Sequence, residues 1–308
     1  RLTNEIKHPH LLVVDGISMI PLLDHARTET EIKGLDQLMI RIHQYNLTTV
    51  HKKSGSSSPE VSPPTLEAVT LGADVVKVNG KPIAHTAWKG PLVKELFFYI
   101  LENEPVRREI ILDSFWPDYS TAKAQSVYHA TLYRMRRILP KGMIQYDNEQ
   151  GVYRINKDID HWYDARAFSN TIERARSEPD PEDMLEQAIS IYRGEYLPTI
   201  YSDWCLERRA IYHNMFVQAI EQLALLRMAK HQYDIAISLY RRAVEVEPFK
   251  EDLHRGLMEA LAGAGYKQEA IRHFEEFEKF LRAEMDLPPT KDTIALSEQI
   301  RTQIRNRD

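Results

Sequence analysis

Residues 120–139, STAKAQSVYHATLYRMRRIL, decide how the rest of the chain is read. At about 100° of helix per residue, Ala124, Leu132, Met135 and Leu139 all fall within roughly 40° of Tyr128. Spacings of four, four, three and four make this an apolar stripe and predict a helix with one buried face. The opposite face carries Lys123, Ser126, Ala130, Tyr133 and Arg137, flanked by His129, Arg134 and Arg136. No acidic residue occurs between Asp118 and Asp147, so that face is cationic. Small residues let the helix axis approach a partner, and long donors reach phosphate or a guanine edge, the combination that a helix in a DNA major groove requires. The competing reading is an ordinary amphipathic helix with a solvated basic face.

The residues around this stretch supply its context. Upstream, the β-prone runs 66–71 and 75–78 are followed by Asn79-Gly80 and then Lys81, Pro82 and Ile83. Asn-Gly between such runs is a strong hairpin signal, because both turn residues must take positive φ. Gly90-Pro91 opens a helix through Glu102, with proline where a backbone N–H would lack a partner anyway. Leu92, Leu96, Phe97, Ile100 and Leu101 form its core face. A second helix over 107–115 stops at Trp116-Pro117, since proline disfavours helix in the residue before it. Asp118 and Tyr119 then lead to Ser120, a suitable N-cap for the opening helix. Downstream, 143–146 and 152–155 form a hairpin around 147–151.

The order sheet, helix, helix, helix, hairpin, with these residues, resembles the OmpR/PhoB-type winged helix over residues 66–157. The resemblance implies that Lys123, Ser126, His129, Ala130, Tyr133, Arg134 and Arg137 face DNA and that Tyr153 approaches a phosphate. It also places the loop Trp116, Pro117, Asp118, Tyr119, Ser120 where such activators touch RNA polymerase. One departure concerns the wing tip, Asp147-Asn148-Glu149, which is acidic where the family often carries a basic residue. Two carboxylates would face the negative potential of the minor groove, so insertion of this wing is not expected.

From Asp158 onward the pattern is helical, with three-to-four apolar spacing over 160–175, 181–193 and 204–230. An internal repeat follows: Ala236, Ile237 and Tyr240 recur 34 residues later as Ala270, Ile271 and Phe274. That is the tetratricopeptide period. Gly265 fits the repeat's turn, whereas His231 stands where the first copy would carry glycine. The winged helix, the joint at 160–168, YRGEYLP at 192–198, ERRAIY at 207–212 and Leu287-Pro288-Pro289 together resemble the bacterial transcriptional activator domain of SARP-type regulators. The resemblance spans about residues 66–304.

The first 64 residues lie outside it. HLLVV at 10–14 reads as a short strand ending at Asp15-Gly16, followed by a helix over 28–44 and a second strand over 47–50. This unit is too small to close its own core. It reads as a remnant or the trailing part of a larger α/β domain, or else as a structural extension packed on its neighbour. The strand ending in aspartate resembles the magnesium-supporting strand of RecA/KaiC-like nucleotide-binding domains, but the phosphate loop G-x-x-x-x-G-K-[ST] is missing from the chain. SGSSSPEVSPP at 54–64 has too few apolar groups to offset the entropy of ordering and reads as a linker.

With 308 residues, 43% of them apolar and 28% charged, the chain is that of a soluble protein with two or three domains. No apolar run approaches the length of a membrane span, and no secretory signal is visible, so a cytoplasmic location is expected. The net charge of −5 is unevenly distributed. Residues 1–64 carry 7 basic and 7 acidic side chains, 65–157 carry 13 and 10, and 158–308 carry 20 and 28. The basic excess therefore coincides with the segment holding the cationic helix, and the acidic last segment points to protein partners.

No reaction chemistry emerges. Cys205 stands alone and reads as a small core residue. His8 and His10 lack further ligands at metal-binding spacing, and Asp15 reads as a strand end. Ser18 and Ser114 lie in no nucleophile-elbow context. Tyr196, Tyr201, Trp204, Tyr212 and Phe216 read first as core of the helical part. The expected fold is mainly α with small β elements: an α/β segment at 1–53, a linker at 54–64, a winged helix-turn-helix at 65–157 and a TPR-like helical domain at 158–308. The expected function is that of a DNA-binding transcriptional activator, not an enzyme and without cofactor or metal. Its expected partners are double-stranded DNA, RNA polymerase and a second copy of itself on DNA, with any small-molecule effector left open. Two rivals remain: a helical-repeat adaptor whose winged helix binds protein, and a nucleotide-responsive regulator acting through the first 53 residues.

Overall fold

Asn79 and Gly80, both at positive φ (49° and 76°), turn the chain between its second and third strands. Strand β1 (Leu66–Val69) pairs antiparallel with β2 (Val75–Val78), and β2 pairs antiparallel with β3 (Lys81–Pro82). The computed structural model describes residues 65–305, so the strands and helix expected within residues 1–53 and the 54–64 linker lie outside the described residues. A short 3-10 turn, His85–Trp88, buries Trp88 against Phe97 of the following helix, ring centroids 5.8 Å apart. That helix, α1 (Pro91–Asn103), starts with proline at its first position. The two-residue strand β4 (Val106–Arg107) leads from it, after Glu104 and Pro105, into α2 (Arg108–Phe115). Helix α3 (Thr121–Ile138) follows, and β5 (Ile144–Asp147) and β6 (Val152–Ile155) form a hairpin that β4 extends in the order β4-β6-β5.

The chain then departs from the sequence reading. Residues 160–175 have helical periodicity throughout, yet His161–Tyr163 form a strand, β7, and the helix α4 occupies Asp164–Ala175. Strand β7 runs parallel to β1, with Leu66 opposite His161 and Ala68 opposite Tyr163, which gives a sheet ordered β3-β2-β1-β7. Pairing with a strand about ninety residues earlier satisfies backbone groups that a helix would otherwise have bonded internally.

Helices α5 (Glu182–Ile191), α6 (Asp203–Ala229), α7 (Tyr233–Val246), α8 (Glu251–Gly263), α9 (Lys267–Met285) and α10 (Lys291–Arg305) complete the fold, each packed on its sequence neighbour. The 34-residue repeat is visible in the packing: Ala236, Ile237 and Tyr240 on α7 and Ala270, Ile271 and Phe274 on α9 are all buried. It extends to the turns. His231 adopts φ 56° where Gly265 adopts φ 89°, and the amide after each closes back onto the preceding helix, Gln232 N to Arg227 O and Tyr266 N to Leu261 O, both 2.8 Å. A helix terminated this way needs one left-handed residue, and histidine bears in the first copy the strain that glycine avoids in the second.

The described residues fall in one compact unit, and the sheet is joined to the helices by backbone as well as side chains. Asp164, buried at the start of α4, accepts hydrogen bonds from Thr70 N (2.7 Å), Thr70 Oγ1 (2.6 Å), Leu71 N (2.8 Å) and Ala165 N (2.8 Å). Burial pushes its carboxyl above the usual range, against the opposing pull of those donors. Beside it, Gly72 N donates to Glu195 O and Leu197 N to Thr70 O, each 2.8 Å. Gly72 lies backbone to backbone with Gly194, and a Cβ on either would come to 3.0 Å of main-chain atoms, so both positions require glycine.

A second joint centres on Glu102 of α1, whose side chain is 4% exposed. Its carboxylate accepts from the hydroxyls of Tyr163, Tyr212 (2.8 Å) and Tyr196 (3.4 Å) and pairs with Arg208 Nε at 3.4 Å. Burial, with the nearby carboxylate, pushes the Tyr163 and Tyr196 phenols far up, so they remain donors. Glu95, about two helical turns earlier, accepts from Ser202 and from Trp204 Nε1 at the start of α6.

Candidate nucleic-acid interface

Helix α3 is held from behind. Its predicted stripe, Ala124, Tyr128, Leu132, Met135 and Leu139, is buried, and Thr131 joins it by donating its hydroxyl to Val127 O at 2.8 Å. Rings brace the stripe on both sides: Trp116 lies 6.1 Å from Tyr128, Tyr128 lies 6.0 Å from Tyr153, and Tyr153 lies 4.7 Å from Tyr146 of the hairpin. Arg136 Nη2 reaches Ile144 O at 3.4 Å, a further tie between helix and hairpin. The helix is thereby fixed while its front stays open.

That front holds every residue of α3 that the sequence reading assigned to DNA. Lys123, Ser126, His129, Ala130, Tyr133, Arg134 and Arg137 are all exposed, Tyr133 by 63%. None of Lys123, Arg134 and Arg137 has a carboxylate partner among the described residues. Two of these cations instead lie against aromatic rings, Lys123 Nζ 4.0 Å from the centroid of Tyr119 and the Arg137 guanidinium 5.9 Å from that of Tyr133. The sequence reading missed these contacts; only the second, a tyrosine four residues before a cation within the helix, is a readable signal, because Tyr119 precedes the helix.

Two assigned residues lie elsewhere. Tyr153, expected near a phosphate, is 4% exposed, with its ring between those of Tyr128 and Tyr146. It supports the helix instead of facing outward, and of the four residues of β6 only Arg154 is left partly exposed. Trp116, expected in a polymerase-contacting loop, is buried against Phe115 and Tyr128, while Pro117, Asp118, Tyr119 and Ser120 are exposed. Ser120 occupies the N-cap position without a side-chain cap; only its carbonyl takes part, accepting from Ala124 N at 2.9 Å.

At the acidic wing tip, Asp147 Oδ1 accepts from the amides of Glu149 (3.0 Å) and Gln150 (3.1 Å), so this carboxylate closes its own turn. Glu149 remains exposed. Among the aromatics of the helical part, Tyr196, Tyr212 and Phe216 are core, Trp204 is half-buried against Tyr99, and Tyr201 is exposed. Cys205 is buried, and burial pushes its thiol up to about 11. No group of three or more His, Cys, Asp or Glu able to hold a metal occurs among the described residues. No described helix is long and apolar enough to cross a membrane.

Residues 163–301 match the family model of the bacterial transcriptional activator domain. The matched segment begins at Tyr163, the last residue of β7, and so contains the three tyrosines that bond Glu102 but not Glu102 itself. The structure of Mycobacterium tuberculosis EmbR in complex with a low affinity phosphopeptide resembles this chain with a TM-score of 0.60 and 17% identity, over 78% of this chain and 66% of that one. The likeness is one of fold: small sheets and three helices with a hairpin, followed by a helical activator domain. The chain spans 66% of that protein's length. No curated protein sequence matches it.

Proposed function

We propose that this chain is a sequence-specific DNA-binding transcriptional activator that recruits RNA polymerase. Residues 65–157 act as the reader, and 158–308 act as the helical part through which it is controlled and pairs with a second copy on DNA. The observation that carries this reading is the front of α3, where cations without acidic partners share a surface with Ser126 and Ala130. Phosphate contacts would supply most of the affinity and base contacts the register. The activator-domain match over 163–301 supports the transcriptional part of the reading.

The test uses the full chain and a duplex selected from a random pool. Binding should fall steeply as salt rises. Arg134→Ala or Arg137→Ala should weaken it, by about 1–3 kcal/mol where the side chain is bidentate to a guanine. Titrations at matched salt that neither substitution changes would remove α3 from the groove and favour the protein-binding adaptor. For the exposed loop, Asp118→Ala should lower transcription in a reconstituted assay and leave duplex affinity alone. Equal loss of both would make the loop structural. Trp116→Ala should lower both, because its ring packs on Tyr128.

A further inference from the structure

Lys123 and Arg137 are fourteen residues apart, which on a helix is roughly 21 Å along the axis and roughly 40° around it. They mark the two ends of one face, with Ser126, His129, Ala130, Tyr133 and Arg134 between them. The major groove is about 12 Å wide, so a helix seated in it with this spacing carries its two ends towards the opposite phosphate walls while its middle meets base edges. Each end cation is the one that rests on a ring, Lys123 on Tyr119 at 4.0 Å and Arg137 on Tyr133 at 5.9 Å. Tyr119 is 42% exposed and stands in the turn just before the helix, so its ring fixes Lys123 without being part of the core.

We infer that Lys123 and Arg137 are a pair of phosphate clamps at the two rims of the groove, each positioned by a tyrosine, Tyr119 and Tyr133, with base reading left to the segment between them. The inference rests on the DNA-reading proposal above. Its physical content is preorganisation. Immobilising a long, many-rotor side chain on a phosphate costs conformational entropy, and a ring that already holds the cation in the free protein removes part of that cost. The ring attracts the cation through one face, and the remaining N–H donors still point outward. Tyr119 thereby gains a role in DNA affinity that the other exposed residues of its loop, Pro117, Asp118 and Ser120, do not share.

The experiment measures duplex affinity of the full chain against salt concentration. Lys123→Ala and Arg137→Ala should each lower the salt slope by about one unit and weaken all sequences alike, whereas Arg134→Ala should relax preference at a single position. Tyr119→Ala and Tyr133→Ala should weaken binding by about 2–5-fold, and Tyr119→Phe and Tyr133→Phe should restore it, since phenylalanine keeps the ring face. Tyr119→Ala should add nothing in a Lys123→Ala background. Wild-type affinity in Tyr119→Ala, failure of Tyr119→Phe to restore binding, or full additivity with Lys123→Ala would each overturn the bracing and leave the DNA reading standing. A wild-type chain with no salt-dependent duplex binding would overturn both.

Discussion

On the front of α3, charged groups of one sign stand apart from any counter-charge, whereas at the joint beneath α1 every buried charge is matched. Lys123, Arg134 and Arg137 are solvated, so they cost folding little and keep their donors for a partner. Glu102 is nearly sealed from solvent and is tolerated because three phenols and Arg208 satisfy its oxygens. The difference teaches where to look for each property. Cations without acidic partners at the surface are available for recognition, and satisfied charges inside fix geometry, here the seat of α1 against β7 and α6. The two regions should therefore respond to substitution independently.

The largest expected effect tests that separation directly. Glu102→Leu leaves the hydroxyls of Tyr163, Tyr196 and Tyr212 without their buried acceptor and the Arg208 side chain without its carboxylate. Unfolding by urea should show a loss of about 3–5 kcal/mol. Arg134→Ala, on the other side of the comparison, should change folding stability by less than about 0.5 kcal/mol. Similar costs for the two would show that the front of α3 also holds the fold, and the comparison would break.

Much of this was readable beforehand, but unevenly. The stripe from Ala124 to Leu139, the Asn79-Gly80 turn and the proline start of α1 were legible because each is set by spacing along a single element, and the 34-residue repeat because the same residues recur at a fixed period. Strand β7 was not. Its partner β1 lies about ninety residues away, and the helical spacing that continues into α4 masked the β-prone Trp162 and Tyr163. Tyr153 and Trp116 were placed in contact roles by resemblance, although each packs on Tyr128; an aromatic residue flanking a buried stripe signals core as readily as contact. Glu102 was read only as a helix end. A single glutamate gives no sign that three tyrosines from distant segments converge on it.

The same contrast recurs at the far end of the helical array, with a smaller effect and a definite pH dependence. His254 Nε2 lies 3.0 Å from Pro248 O, which can only accept, so that nitrogen carries the proton and Nδ1 accepts from His273 Nε2 at 3.0 Å. Burial, then the neighbouring His273, pushes His254 down to about 4, and burial lowers His273 as well. Since the folded value lies below the unfolded one, the unfolded chain binds the extra proton. Stability from this pair is fully present above about pH 6.5 and is lost as pH falls towards 4. The loss for His254 should be about 2 kcal/mol, read from urea unfolding at pH 7 and pH 5. His254→Asn should flatten that dependence. A variant that keeps the full slope would assign it to other groups and confine the buried-charge rule to the joint at Glu102.

The smallest effect sharpens the boundary between the two regions, because Tyr128 belongs to neither. It sits at the centre of the stripe behind the cationic face, fully buried, and its hydroxyl lies near that of Tyr153 without a hydrogen bond of normal geometry. Burial pushes the phenol well above its ordinary value, so it stays neutral. What α3 needs at this position is ring volume between Trp116 and Tyr153. Tyr128→Phe keeps that volume and removes an unsatisfied polar atom, so stability should stay level or rise by up to about 1 kcal/mol, and duplex affinity should not change. A measured loss above about 1 kcal/mol would mean that the hydroxyl is bonded, through ordered water or to Tyr153. The back of the helix would then be a polar joint of the same kind as the one around Glu102, and the front and back of α3 could no longer be altered separately.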